Sequence, residues 1–337
     1  MQVRQGRRRA ALRYDAGDMA RTTPPAGPGG TAPTPLRRFL APRYWPTWVA
    51  LGLRRLLALL PYPALLAAGR LIGRALLVTL PRRRHVAAVN LRLCFPGLDE
   101  AARRQLLRRH FESLGMQLAE LGLTWFAPPA KLAPLIHVEG MEHLEAAAAG
   151  GRGVVLLSAH FPAIELSGSV LRSATTVRLA ALYRPSHNAL VDEILLRSRA
   201  KAIEVQIPKE SLRQLLRTLA RGYGVWYAPD QAYAGRFSAL ATFFGEPAMT
   251  NTALTQIVRL SGAAVVPFFP RRRADGRGYD VTIGPVLQDF PGPDPVSDAQ
   301  RVNDLVERQA RLVPEQYYWV HRRFKARPGL PDPYAAP

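Results

Sequence analysis

Short apolar runs alternate with stretches of helical length through the second half of the chain. The runs cover residues 153–159, 177–185, 223–231 and 263–267, and the first is rich in β-branched residues. Such runs are typical of strands that are buried on both faces of a parallel sheet. The alternation predicts an α/β fold with a mostly parallel central sheet flanked by helices. In such folds, ligands bind beyond the carboxyl ends of the strands.

The pattern changes along the chain and divides it into five segments. Residues 1–36 are rich in Pro, Gly and Thr and poor in large apolar groups, so we expect a disordered leader, in which Met19 is an alternative start to Met1. The other predicted segments are a membrane-associated helical region, a helical subdomain packed on the core, the α/β core and a Pro-rich tail, at residues 37–80, 81–130, 131–328 and 329–337.

The predicted membrane segment begins with a pair of tryptophans and continues with Leu-rich runs. Arginines interrupt these runs at positions 54, 55, 70 and 74, so every uncharged run is well short of the ~18 residues of a spanning helix. Aromatic residues and an arginine-bearing helix face favour an amphipathic hairpin that lies in the membrane interface. A single spanning anchor and an ordinary buried helix pair are the alternatives.

His160 follows the first apolar run directly, and Pro162 precedes a helical stretch. Proline suits the start of a helix, so we expect His160 in the strand-to-helix turn and Glu165 in the first or second turn of the helix. From the turn, the imidazole is within reach of the carboxylate. An imidazole held by a carboxylate at a strand end is the arrangement of a general base. His160 and Glu165 are therefore predicted as catalytic residues, the alternative being a surface histidine beside a solvated glutamate.

Polar groups also end the next two strands. Arg184 ends the second run, Asp230 and Gln231 end the third, and Arg236 follows shortly after. A guanidinium matches oxyanions in a bidentate fork, so Arg184 is predicted to hold a phosphate, with a structural ion pair as the alternative. Asp230 and Gln231 are predicted to orient Arg184 or a substrate sugar hydroxyl, and a structural role is the alternative for them as well.

The order of these blocks resembles the glycerolipid acyltransferase superfamily. The blocks are His-x4-Glu, Tyr-Arg-Pro, Pro-Asp-Gln and Val-Val-Pro. Three further stretches resemble one branch, the late acyltransferases of lipid A biosynthesis, at residues 84–96, 243–248 and 314–325. Glu165 stands where the superfamily at large commonly has Asp, but Glu is usual in this branch. The resemblance covers about residues 40–328.

This resemblance implies an acyltransferase on the cytoplasmic face of the bacterial inner membrane. It would move a fatty acyl chain from acyl carrier protein to a hydroxyl of a phosphorylated lipid A precursor. His160 would deprotonate the hydroxyl and Glu165 would support the imidazole. The predicted substrate-binding residues are Arg184, Asp230, Gln231, Arg236, Arg322 and Arg323. Acylation of a glycerophospholipid or an aminolipid is the close alternative. The blocks leave the acyl chain and the acceptor hydroxyl open.

Charge narrows the possible partners. Forty-six Lys and Arg against 25 Asp and Glu give a net charge of +21. This excess favours anionic partners, such as an anionic membrane surface, phosphorylated substrates or an acidic carrier protein. The arginine clusters are dispersed and no zinc spacing or RNA-binding aromatic signature accompanies them, so we expect no nucleic-acid partner. A non-catalytic basic tether is the alternative of a different class, but a tether needs no base at a strand end.

The sequence also lacks several other signatures. No His, Cys, Asp and Glu cluster has metal-ligand spacing, and neither a Gly-x-Ser-x-Gly nor a phosphate-binding glycine loop occurs. We therefore predict neither a metal nor another cofactor, and neither a serine hydrolase nor a nucleotide-driven enzyme. The single cysteine, Cys94, rules out an internal disulfide and fits a reducing compartment.

Overall fold

The computed structural model describes residues 34–335. The predicted leader, residues 1–36, lies outside this range except for its last residues. Two short 3-10 turns, Leu36–Phe39 and Pro42–Tyr44, lead into four helices, which are α1 (Trp45–Leu57), α2 (Tyr62–Thr79), α3 (Pro81–Cys94) and α4 (Glu100–Phe126). Proline lies in the first turn of α1, α2 and α3, and the side chain of Asp99 caps α4 by accepting from the Ala102 N–H at 2.7 Å.

Strands and helices then alternate as the apolar pattern predicts. The strands are β1 (Ile136–Glu139), β2 (Val154–Leu157), β3 (Leu179–Tyr183), β4 (Val205–Pro208), β5 (Gly224–Tyr227), β6 (Ser238–Phe243), β7 (Glu246–Asn251), β8 (Ala264–Arg272) and β9 (Tyr279–Ile283). The helices are α5 (Pro129–Leu132), α6 (Met141–Ala149), α7 (Ile164–Ala174), α8 (Ala189–Arg199), α9 (Leu212–Ala220), α10 (Ala253–Ser261) and α11 (Pro295–Leu312).

Seven of the strands in residues 34–335 form one sheet, in the order β1–β9–β8–β2–β5–β3–β4. All neighbours in it are parallel except β8 and β9, which are antiparallel. The strand β2 is buried throughout and lies between β8 and β5. The predicted mostly parallel central sheet flanked by helices is confirmed. The other two strands, β6 and β7, form a separate antiparallel hairpin.

The N-terminal helices pack on one another and on the sheet. Helices α2 and α4 approach closely at three glycines, which are Gly69, Gly73 and Gly115. An added Cβ at Gly73 would lie 2.1 Å from the Phe111 carbonyl oxygen, and one at Gly115 would lie 2.2 Å from the Gly69 carbonyl oxygen, so a side chain at either position would clash with the facing backbone. Further along α4, the buried Glu120 accepts hydrogen bonds from Tyr62, from Tyr279 and from the buried Arg272, at 2.6–2.7 Å. This network joins α2, α4 and the sheet.

The outer face of α1 is apolar. Four large apolar side chains recur at helical spacing on this face and are 58–63% exposed, namely Trp45, Val49, Leu53 and Leu56. Leu71 and Val78 continue the exposed apolar surface on α2. Within residues 34–335, no single helix has both the length and the hydropathy of a membrane span. Helices α2 and α3 together have them by length and composition, but the pair is bent by 96°.

The C-terminal segment, residues 313–335, follows α11 and packs into the core. Adjacent pairs of buried residues recur along it, and they include Tyr317, Trp319 and Phe324. The predicted tail also packs on the protein, since the hydroxyl of the buried Tyr334 donates to Asn90 Oδ1 and accepts from the Phe324 N–H at 3.0 Å. His321 of this segment accepts through Nε2 from the Ala232 N–H at 3.1 Å, which places the segment beside the loop that follows β5.

Candidate active site

His160 lies in the turn between β2 and α7, as predicted. The buried Ser158 and Ala159 follow the strand, and Ala163 precedes the helix in the left-handed conformation, with φ of 63°. Pro162 therefore comes before the N-cap, and not at the first helical position as expected. Glu165 lies in the first turn of α7.

Strand pairing brings His160 to Asp230. Leu157 at the end of β2 is in register with Tyr227 at the end of β5, and the two polar residues each follow three positions later. The Nδ1 of His160 lies 2.6 Å from Oδ1 of Asp230, and the main-chain N–H of His160 donates to Oδ2 at 3.1 Å. The carboxylate is 3% exposed and the imidazole 34% exposed, so the histidine alone faces solvent.

The two groups shift one another's pKa. Burial disfavours the imidazolium, but the charge of Asp230 and its hydrogen bond outweigh burial and raise the pKa of His160 above its ordinary value. Burial likewise opposes ionisation of Asp230, but His160 and the nearby Tyr317 hydroxyl lower the pKa of that carboxyl. Asp230 is therefore ionised when His160 takes up a proton, which is the electrostatic support that a general base requires.

The carboxylate that holds the imidazole is thus Asp230, and the prediction that Glu165 does so is wrong. Glu165 instead binds Arg199, the last residue of α8, whose Nε lies 3.0 Å from each carboxylate oxygen and whose Nη2 also contacts Oε1. The physical reason is that Nδ1 has room for one acceptor, which the buried Asp230 supplies, while the guanidinium offers Glu165 a bidentate partner.

His160 opens onto a cleft with a volume of ≈ 310 Å³. Its walls come from α4, from the start of α7, from the end of β3 and from α8. Arg184 lines it, as predicted, and is exposed. Among residues 34–335, no carboxylate lies within ion-pair distance of its guanidinium. The rings of Trp226 and Tyr318 flank the imidazole, with centroids at 6.3 and 6.1 Å.

A smaller apolar cavity of ≈ 40 Å³ adjoins the cleft. Glu165 and Arg199 line both spaces, so their ion pair lies at the boundary. Beyond the pair, the cavity follows α7 past Gly168 to Leu171. An added Cβ at Gly168 would meet no atom within 4 Å, which shows that this position faces open space.

Five of the six predicted substrate-binding residues do not line the cleft. Asp230, predicted to orient Arg184 or a sugar hydroxyl, instead holds the imidazole of His160. The prediction for Arg323 is wrong, because its guanidinium is buried and donates to the Met249 carbonyl, Thr250 and Asn303 at 2.8–3.1 Å. Arg322 pairs with Asp332 on the surface. Gln231 is half-buried, and Arg236 lies in an exposed loop 5.6 Å from the Phe237 ring.

The three cleft residues that flank His160 or bind Glu165, namely Trp226, Tyr318 and Arg199, were not predicted from the sequence as site residues. Trp226 lies inside a strand and Arg199 ends a helix, so neither position carries a sequence signal of function. Tyr318 belongs to the C-terminal block that resembles the lipid A branch, which was the available signal. Among residues 34–335, no group of three or more His, Cys, Asp and Glu is placed to hold a metal ion.

Comparison with known proteins assigns the family. Residues 33–326 match the model of the bacterial lipid A biosynthesis acyltransferases. The chain is 38% identical to the lipid A biosynthesis lauroyltransferase of Escherichia coli over 298 residues, which is 88% of this chain and 97% of the relative. It is also 38% identical to the palmitoleoyltransferase of the same bacterium, over 87% of this chain and 95% of the relative, and 28% identical to the myristoyltransferase, over 88% and 93%.

A solved 1-acyl-sn-glycerophosphate acyltransferase from Thermotoga maritima aligns with 74% of this chain and 97% of its own, at 14% identity and a TM-score of 0.35. That likeness is too low to carry an argument.

The chain belongs to the bacterial lipid A biosynthesis acyltransferases. It is an enzyme that transfers an acyl group in lipid A biosynthesis.

Proposed function

We propose that this acyltransferase moves a fatty acyl chain from acyl carrier protein to a hydroxyl of a phosphorylated lipid A precursor, at the cytoplasmic face of the inner membrane. The observation that carries the chemistry is the His160–Asp230 pair at the floor of an open cleft. Nδ1 is occupied by Asp230, which leaves Nε2 to accept a proton from the acceptor hydroxyl.

The acyl thioester is already activated, so no covalent enzyme intermediate is needed. The acceptor hydroxyl gives its proton to Nε2 of His160 as its oxygen attacks the thioester carbonyl carbon. The tetrahedral intermediate then collapses, the carbon–sulfur bond breaks, and the imidazolium returns the proton to the leaving thiolate. Asp230 stabilises the imidazolium between the two steps. General base catalysis of this kind contributes about 10²–10⁴-fold.

Developing charge on the carbonyl oxygen needs hydrogen-bond donors. Residues 164–166 begin α7 and line the cleft. Their main-chain N–H groups precede the hydrogen bond from the Ser167 N–H to the Ala163 carbonyl, so they have no partner within the helix. Donors of this kind, aimed at the developing oxyanion, are a large part of acyl-transfer catalysis. Arg184, without an ion-pair partner in the described chain, is placed to bind a substrate phosphate.

The exposed apolar face of α1 supports membrane attachment close to this cleft. The Nδ2 of Asn188, just after the Arg184 turn, donates to Thr47 Oγ1 of α1 at 2.8 Å. The buried face of α1 packs through Leu51 near Leu190 of α8, which forms one wall of the cleft. Burial of the outer apolar stripe in the interface would hold the cleft at the lipid surface, and the net charge of +21 would favour anionic lipid.

Two experiments test the chemistry. Mass spectrometry of lipid A from cells with and without the gene should show the loss of one acyl chain. With purified enzyme, His160→Ala should abolish transfer from acyl carrier protein while the protein remains folded, because His160 lies in a turn at the cleft. Comparable turnover by wild type and His160→Ala would contradict the general-base mechanism.

Vesicle binding tests the membrane attachment. Leu53→Asp combined with Leu56→Asp should weaken sedimentation with anionic phosphatidylglycerol vesicles by about tenfold or more. Leu312→Asp is the matched control, since Leu312 is 61% exposed at the end of α11, and it should bind as wild type. Equal loss in the control and the α1 variant would contradict attachment through α1. Raised salt should weaken vesicle binding only in part, because salt screens the charge attraction but not the burial of apolar side chains.

A further inference from the structure

The ion pair between Glu165 and Arg199 connects the ends of two helices that form the cleft. Glu165 is in the first turn of α7 and Arg199 is the last residue of α8. An acidic group at a helix N-terminus and a basic group at a helix C-terminus are each favoured by the helix dipole. The carboxylate is 24% exposed and the guanidinium 16% exposed, so the pair is largely shielded from water.

The pair is also positioned to affect His160. Only residues 161–164 separate His160 from Glu165, and Ala163 among them is held in the left-handed conformation. Fixing Glu165 therefore fixes the turn that presents the imidazole. Arg184 lies shortly before the first residue of α8. The ion pair therefore links the turn that carries His160 to the helix that follows Arg184.

The geometry excludes direct support of the imidazole by Glu165 in this conformation. Both of its oxygens lie 3.0 Å from Nε of Arg199, and Nδ1 of His160 is taken by Asp230. The charges of Glu165 and Arg199 compensate each other, whereas Asp230 is hydrogen-bonded directly to the imidazole of His160.

We propose that Glu165 acts on the reaction through Arg199, as a positioning pair that holds the start of α7, and with it His160, against the end of α8. The inference rests on the proposed role of His160 as the base. It assigns function to Arg199 and gives Glu165 a role that differs from charge support of the imidazole.

A double-mutant cycle with a pH readout tests this pair. We expect Glu165→Gln and Arg199→Met each to lower kcat by about 10- to 100-fold, because the turn loses its restraint. The double variant should fall no more than about threefold below the worse single variant, since both changes remove one interaction. The acid limb of the pH–rate profile should stay at its wild-type position in Glu165→Gln and move in Asp230→Asn.

A charge swap and a matched pair complete the design. Glu165→Arg combined with Arg199→Glu should recover about tenfold over either single variant, which also keeps the test valid if Arg199→Met folds poorly. Glu193 and Arg197 form a comparable ion pair on α8 at 2.6 Å, and neither residue lines the cleft. Glu193→Gln should therefore keep wild-type kcat per folded protein.

Three results would overturn the proposal. The first is a fall in kcat of the double variant that equals the product of the two single falls. The second is wild-type kcat in Arg199→Met together with a lowered kcat in Glu165→Gln. The third is an acid limb of the pH–rate profile that moves in Glu165→Gln as it does in Asp230→Asn. Failure of the base mechanism itself would look different, because His160→Ala would then retain turnover whatever the cycle showed.

Discussion

Asp230→Asn changes one atom of the site and tests how the imidazole is held. The wild-type Oδ2 accepts from the main-chain N–H of His160 at 3.1 Å, and an asparagine must place its oxygen there to keep that bond. Its NH₂ group then takes the position of Oδ1, which lies 2.6 Å from Nδ1. An amide donor at this position forces the imidazole proton onto Nε2, the nitrogen that has to accept the substrate proton.

The expected loss can be estimated from these contacts. A hydrogen bond to a charged group is worth about 1.5–3 kcal/mol, or roughly 10- to 150-fold in rate. Holding the imidazole in the wrong tautomer adds to this and brings the expected fall in kcat to about 10³–10⁴-fold. Because the tautomer is the larger effect, Asp230→Ala, which cannot donate to Nδ1, should be less impaired than Asp230→Asn.

The pH dependence supplies a second readout. The base works as neutral imidazole, so activity falls as the pH decreases through the pKa of His160. Asp230 raises that pKa in the wild type against the opposing effect of burial. Without the carboxylate charge, burial remains, and the acid limb of kcat/KM should move to lower pH. Acyl transfer followed by mass spectrometry from about pH 5 to 9 measures both effects. An Asp230→Asn enzyme with more turnover than Asp230→Ala, or with an unmoved acid limb, would refute this reasoning.

Three other predictions concern the cavity, the core and the cleft rim. The smaller cavity is apolar and adjoins the cleft, so we expect it to bind the end of a long acyl chain. Gly168→Leu should fill it and lower the kcat/KM ratio of long over short acyl donors by about tenfold, and an unchanged chain-length profile would contradict binding of the chain in this cavity. Glu120→Ala should lower the free energy of unfolding by about 3–5 kcal/mol in urea titrations, because Arg272 stays buried without its counterion; a change below about 1 kcal/mol would contradict this. Arg184→Lys should recover little of the turnover lost in Arg184→Ala, whereas near-wild-type activity would mark Arg184 as a screened surface charge.

Local patterns in the sequence were enough to predict several features of this protein. Short apolar runs predict the buried strands β2, β3, β5 and β8, because a strand covered on both faces has no polar side. Pro162 predicts a break between the strand and the helix, since proline is disfavoured inside a helix and is found in turns and at helix starts. The ordered blocks, in turn, predicted the family that the comparisons confirm.

The pairing of side chains was decided only by the tertiary structure. Sequence proximity favoured Glu165 as the partner of His160, but the sheet places Asp230, 70 residues away, beside the imidazole because β2 and β5 are adjacent and in register. The same limit explains Arg323, which was predicted to bind substrate and is instead buried, where it donates to three hydrogen-bond acceptors. Residue spacing carries information over a turn or two of helix, whereas contacts between strand ends depend on the order and register of the sheet, which no local pattern encodes.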